Sequence, residues 1–230
     1  MKQQAGVELE SFKDGVAVGA LDAGLDQRVE RAIARASEHL LSLQSPEGYW
    51  VGELHADSTL ESDYIFFLYV AGQFVPGRIA KLSNSIRHRQ LPDGGWNIYQ
   101  GGPSELNATV KAYVALKLAG DSPDDPHMAA ARLRIHDLGG LEQTNSYTRF
   151  YLALGGALEW KHVPAIPPEL MLSPSWFFFN VYSLSSWTRA IVVPLTILYA
   201  LRPRWPLPEH ARVDELFQNP SGHIPAFDWD

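Results

Sequence analysis

Few side chains in this 230-residue sequence stand at spacings that perform chemistry. There is no cysteine, which excludes disulfides, thiolate metal sites and a Cys nucleophile. The eight histidines show no ligand spacing: His88, His136 and His162 fall on different elements, so neither a metal nor a cofactor is expected. No Gly-x-Ser-x-Gly elbow, phosphate loop or dinucleotide fingerprint occurs. Two acidic groups could be weighed as proton donors. One is Asp121-Ser122-Pro123-Asp124-Asp125, in a Pro-containing turn between helices; the other is Asp228 and Asp230, flanking Trp229. Both read as solvated surface carboxylates, and Arg87-His88-Arg89 reads as a solvated helix face. The excess is aromatic: 11% of the chain, with seven Trp.

The bulk properties set the frame for those aromatics. Hydrophobic residues make up 46% and charged residues 20%, ordinary values for a chain with a packed core. A net charge of −7 argues against nucleic acid as a partner. The first 30 residues lack the apolar core of a signal peptide. From 170 to 201 the only charge is Arg189, yet the continuous apolar run 190–201 holds 12 residues. A membrane span needs roughly 20, so a buried helix behind an aromatic approach loop is expected.

An internal repeat positions the conspicuous residues. Gln44-Ser45-Pro46-Glu47-Gly48-Tyr49-Trp50 and Gln90-Leu91-Pro92-Asp93-Gly94-Gly95-Trp96 share Gln-x(3)-Gly-x-Trp, 46 residues apart. A decayed third copy carries His136 at the Gln position, then Gly139-Gly140, with Leu141 replacing Trp. A Gln amide can satisfy orphan backbone groups at a helix end while the indole covers its face, and Gly permits the tight turn. Gln44, Gly48, Trp50, Gln90, Gly94 and Trp96 are therefore expected to be structural, and the third staple weaker.

Helical stretches flank each turn. Before the first, Val29, Ile33, Ala36 and Leu40 mark a helix over 26–43. After it, Ser58-Thr59-Leu60-Glu61 reads as a capping box opening a helix over 59–71, stopped at Gly72. Pro103 suits the first turn of a helix ending at 119 before Gly120, and a third helix spans 144–154. Strand patterns are nearly absent. The fold class expected is all-α: helix-pair repeats forming an incomplete α/α barrel (α/α toroid), with the more apolar second helices inside. Residues 1–25 form an N-terminal tail and 26–217 the barrel portion. Residues 218–230 read as a truncated connection toward a C-terminal catalytic domain.

These repeats resemble the QW motifs of triterpene cyclases. From about Asp26 to Phe217 the chain is similar to the N-terminal third of a bacterial squalene–hopene cyclase. The specific stretches are 41–50, 90–96 with Gly101-Gly102-Pro103, and Trp187-Thr188-Arg189-Ala190 leading into Pro206-Leu207-Pro208-Glu209-His210-Ala211-Arg212-Val213.

The resemblance implies an isomerase that protonates squalene with an Asp of an Asp-x-Asp-Asp motif and steers the carbocation, over aromatic faces, to hopene or hopanol. No Asp-x-Asp-Asp run occurs in these 230 residues, so no catalytic residue is assigned and the chain alone is expected to be inactive. Trp187 matches a Trp lining the family's cyclisation cavity, in a helix first turn capped by Ser186. Tyr147 matches an aromatic position near that cavity. The implied partners are squalene or a similar isoprenoid, and a C-terminal cyclase domain or companion subunit. Peripheral, monotopic contact with the cytoplasmic side of a membrane is also implied, without a transmembrane helix. Two alternatives stand beside this reading: a non-catalytic α/α module binding an apolar ligand or partner subunit, or the N-terminal part of a related class II terpene cyclase.

Overall fold

A computed structural model describes residues 23–52, 56–164, 166–178 and 180–219. The described residues are all helical and contain no strand. They fall into two compact units that divide after Leu54.

The first unit holds α1 (Ala23–Ser42) and the first repeat turn. The second unit is built on α4 (Leu106–Ala119), with 11 of its 14 residues buried. The run Leu106-Asn107-Ala108-Thr109-Val110 to Leu118 is apolar on nearly all sides, so every side of it needs a neighbour. Those neighbours are α2 (Ser58–Val70), α3 (Pro76–His88), α5 (Pro126–Asp137) and α6 (Ser146–Leu154). Ala108, Ala112 and Ala115 are fully buried, and their small side chains let the flanking helices approach. Helix α4 therefore keeps no exposed apolar face.

Helix starts differ in detail from the sequence reading. Asp57, not Ser58, caps α2: its carboxylate accepts from Thr59 N at 2.8 Å and from the Thr59 hydroxyl, and Ser58 is buried. Glu105 caps α4 by accepting from Ala108 N at 2.8 Å, which leaves Pro103 ahead of the helix. Glu has the reach to close on the third helical N–H. Asn145 caps α6 through Thr148 N at 3.0 Å, so that helix starts at Ser146 rather than Thr144. The stop at Gly120 is as expected: φ is +104°, and Asp121 N reaches back to Leu116 O at 3.0 Å.

Helix α7 (Ser186–Leu201) departs most from expectation. The run 190–201 is helical, but Thr196 is its only buried residue. Tyr199, packed edge-on to Trp160, which is edge-on to Phe150 of α6, ties one side of α7 to the core. Ile197 and Leu201 stay exposed. Apolar composition alone fails to bury a helix that has a partner on one side only. No helix among the described residues is long and apolar enough to cross a membrane.

Candidate functional site

The second repeat turn is the most completely built. Gln90 Nε2 donates to Gly94 O and to His127 O, each at 2.8 Å. The Trp96 ring is fully buried, and its Nε1 donates to Ile86 O at 2.7 Å. Between them, Leu91 N bonds Gly95 O and Gly94 N bonds Leu91 O, both at 2.9 Å. Gly94 has φ +87°, and a Cβ there would lie 2.6 Å from the Ala130 backbone. Only glycine fits both the turn and the approach of α5. That approach is invisible in a local motif, since His127 and Ala130 lie about forty residues on.

The first turn repeats the same bonds within its own unit. Gln44 Nε2 donates to Gly48 O at 2.9 Å, Trp50 Nε1 to Leu40 O at 2.6 Å, and Gly48 has φ +89°. In both copies the indole reaches the carbonyl ten residues back. The third turn is assembled from other groups. Leu141 is fully buried, and His136 Nε2 meets Glu215 O at 2.9 Å. The Glu142 carboxylate accepts from Gln218 N at 3.1 Å and Asn219 N at 3.0 Å. Arg149, buried, donates to Glu142 O at 2.8 Å and Thr144 O at 3.0 Å.

Of the groups read from sequence as solvated, Arg87 and Asp121 are engaged with each other, while His88 and Arg89 are exposed. Arg87 holds Asp121 through two nitrogens, one at 2.8 Å, and His127 Nε2 meets the same carboxylate at 2.7 Å. Arg89 donates to Ala56 O at 2.6 Å. The Asp121 side chain is 7% exposed. Burial pushes its carboxyl upward, but the Arg87 and His127 hydrogen bonds and charges outweigh that and hold it below the usual range. Asp121 is thus a structural carboxylate rather than a surface one. Asp124 is exposed, and Asp125 accepts from Ser122 N at 3.0 Å. Asp228 and Asp230 lie outside the described residues.

Trp187 stands in the first turn of α7, 77% exposed. Ser185, not Ser186, caps that helix, accepting from Thr188 N at 3.1 Å. Tyr147 stands in the first turn of α6, 58% exposed. Among the described residues no ring contact joins the two. Trp176, Phe178 and Tyr182 are also exposed, in the loop before α7, where Trp176, Phe177 and Phe178 meet ring against ring.

One polar cluster escaped the sequence reading. Lys111 of α4 pairs with Asp63 of α2 at 2.9 Å and lies 5.6 Å from the Tyr151 ring centre on α6. Burial, and after it the Asp63 charge, push the Tyr151 phenol well above its ordinary range, so the hydroxyl stays protonated. Tyr151 OH and Asp63 Oδ1 are buried without a hydrogen-bond partner among the described residues. Lone polar residues on three separate helices carry no sequence signal of meeting. No group of three or more potential metal ligands occurs among the described residues. Chemically, this arrangement offers exposed aromatic faces suited to an apolar or cationic species.

The chain belongs to the family of the squalene–hopene cyclase N-terminal domain, which matches residues 33–228. It is 44% identical over 194 residues to the squalene–hopene cyclase of Zymomonas mobilis, covering 84% of this chain and 30% of that protein. It is 42% identical to the squalene–hopene cyclase of Alicyclobacillus acidocaldarius, covering 82% of this chain and 30% of the relative. It is also 33% identical to the dammaradiene synthase of Dryopteris crassirhizoma, covering 94% and 32%. The chain therefore spans about 30% of the length of the curated relatives it matches.

Proposed function

We propose that this chain acts as the N-terminal part of a squalene–hopene-type cyclase, an isomerase that protonates and polycyclises squalene or a similar isoprenoid, the final cation losing a proton to give hopene or capturing a water to give hopanol. In this reading residues 26–217 are the repeat-bearing portion of the α/α barrel, residues 1–25 a tail, and 218–230 a connection toward the catalytic domain. The chain contributes an aromatic wall of the cavity through Trp187, with Tyr147 close to that cavity. Gln44, Gly48, Trp50, Gln90, Gly94 and Trp96 serve structure. The catalytic acid comes from elsewhere, because these 230 residues contain no Asp-x-Asp-Asp run. The observation that carries the reading is the family match over 33–228, joined to exposed aromatics where the family resemblance puts cavity residues. Peripheral attachment to the cytoplasmic face of a membrane belongs to the same proposal, supported by the exposed aromatic loop before α7. The dammaradiene synthase relative favours a second reading, the N-terminal part of a related class II cyclase with a different product.

The test incubates the purified chain with squalene and detergent, alone and mixed with the C-terminal two-thirds of a homologous cyclase, with products read by gas chromatography. Alkenes are very weak bases, exposed carboxylates stay ionised near neutrality, and water quenches a carbocation. The chain alone should give no cyclised product, and the mixture should give one. Product from the chain alone would overturn the assignment of the acid. The product of the mixture separates the two readings.

A further inference from the structure

Residues 205–219 are held to the helices of the second unit at several separate points. Trp205 N and Leu207 N donate to Leu154 O at 2.7 Å and Gly155 O at 2.9 Å, satisfying carbonyls at the end of α6. Tyr69 of α2 donates to Pro206 O at 2.7 Å. Ala211, Val213 and Leu216 are buried against the core. Lys117 of α4, 4% exposed, donates to Arg212 O and meets Glu215 Oε1 at 2.6 Å, an oxygen that also accepts from Tyr113 at 2.9 Å.

We propose that residues 205–219 form a strap closing this unit, with Lys117 as its latch and His136 taking over at the third turn the polar role that Gln44 and Gln90 hold at the first two. Glu215 O can only accept, so His136 Nε2 carries the hydrogen and donates, as the Gln90 amide donates to His127 O. In the second turn the acceptor belongs to α5; in the third it belongs to the strap. Gln218 closes the exchange by donating from Nε2 to His136 O at 2.7 Å. The third copy is therefore rebuilt on a different partner rather than lost. A buried ammonium needs both acceptors the strap brings, and the strap's only helices are two three-residue 3-10 turns, Glu209–Ala211 and Asp214–Leu216, too short to keep it in place alone. Each holds the other.

Amide hydrogen exchange on the 230-residue chain tests this. Lys117→Met should raise exchange at Leu216, Gln218 and Asn219 roughly tenfold or more, with the core amides of α2 and of Val110–Leu116 within about twofold of wild type. His136→Ala should do the same, and His136→Gln should keep wild-type protection. Unchanged protection at 216–219 in both Lys117→Met and His136→Ala would overturn the strap, as would an equal rise through α2 and α4 in His136→Ala. If Lys117→Met unfolds the whole chain, the His136→Ala and His136→Gln pair decides. A His136→Gln variant as labile as His136→Ala removes the equivalence to the first two turns.

Discussion

Trp96 and Trp187 are the same residue type in opposite circumstances. The Trp96 ring is fully enclosed and its Nε1 is bonded; Trp187 is 77% exposed. Trp96→Ala should cost about 3–5 kcal/mol through the cavity and the orphaned Ile86 carbonyl. Trp187→Ala should stay within about 0.5 kcal/mol of wild type in chemical denaturation, and in a complete cyclase should alter rate or product spectrum. Equal losses for the two would reject this division of roles. Trp50 repeats the bond of Trp96 but keeps half its ring exposed, so Trp50→Ala should fall well short of Trp96→Ala.

Asp121 yields a pH prediction at the same scale. Its carboxyl titrates lower in the folded chain than in the unfolded one. Its contribution is then fully present above the unfolded value of about 3.9 and is lost as pH falls below it through the depressed folded value. Denaturation midpoints should drop steeply below about pH 4 in wild type, and less steeply in Asp121→Asn. An identical acid limb in the variant would show that Asp121 is not a source of the slope. The Gln, Gly and Trp of the first two repeats were legible in sequence because a motif recurring at one spacing declares its own geometry. Asp121 was not, because its partners Arg87 and His127 sit on helices whose approach no local pattern states. Lys111, Asp63 and Tyr151 escaped for the same reason.

Among the elements, the contrast between α4 and α7 carries the lesson. Both are strongly apolar in sequence, and hydropathy alone made both buried. Periodicity locates a helix and its type, but burial depends on how many neighbours arrive. Helix α4 receives four, whereas α7 is tied to the core along the side bearing Thr196 and Tyr199. Caps were misplaced by one or two residues because several short polar side chains compete at each helix start, and only the realised backbone selects among them. Exposed apolar surface on α7 should drive association. Ile197→Lys with Leu201→Glu should lower self-association in sedimentation without lowering the melting temperature. A melting temperature several degrees lower would place those side chains in the core after all.

Across the whole molecule, the chain matches about 30% of the length of the Zymomonas and Alicyclobacillus squalene–hopene cyclases, carries exposed aromatics at Trp187 and Tyr147, and has no Asp-x-Asp-Asp run in its sequence. The division of labour proposed for it follows from that: these residues shape, and the remainder protonates. The mixing experiment with squalene addresses this scale, since no single substitution can create a missing Brønsted acid and its dry enclosure together.

The latch at Lys117 also bears on how the chain is made. Its carboxylate partner lies 98 residues further along. At a synthesis rate of about 5–20 residues per second, that separation corresponds to roughly 5–20 s during which the ammonium has no Glu215 to meet. An unpaired ammonium resists leaving water, so the end of α4 must stay hydrated through that interval. The α2–α4 pairing, closer in sequence, can form earlier from Ile65, Leu68 and Val110. The nascent chain thus passes through a stage with half of its central helix docked and the other half wet, and a pause in translation before residue 215 would lengthen it.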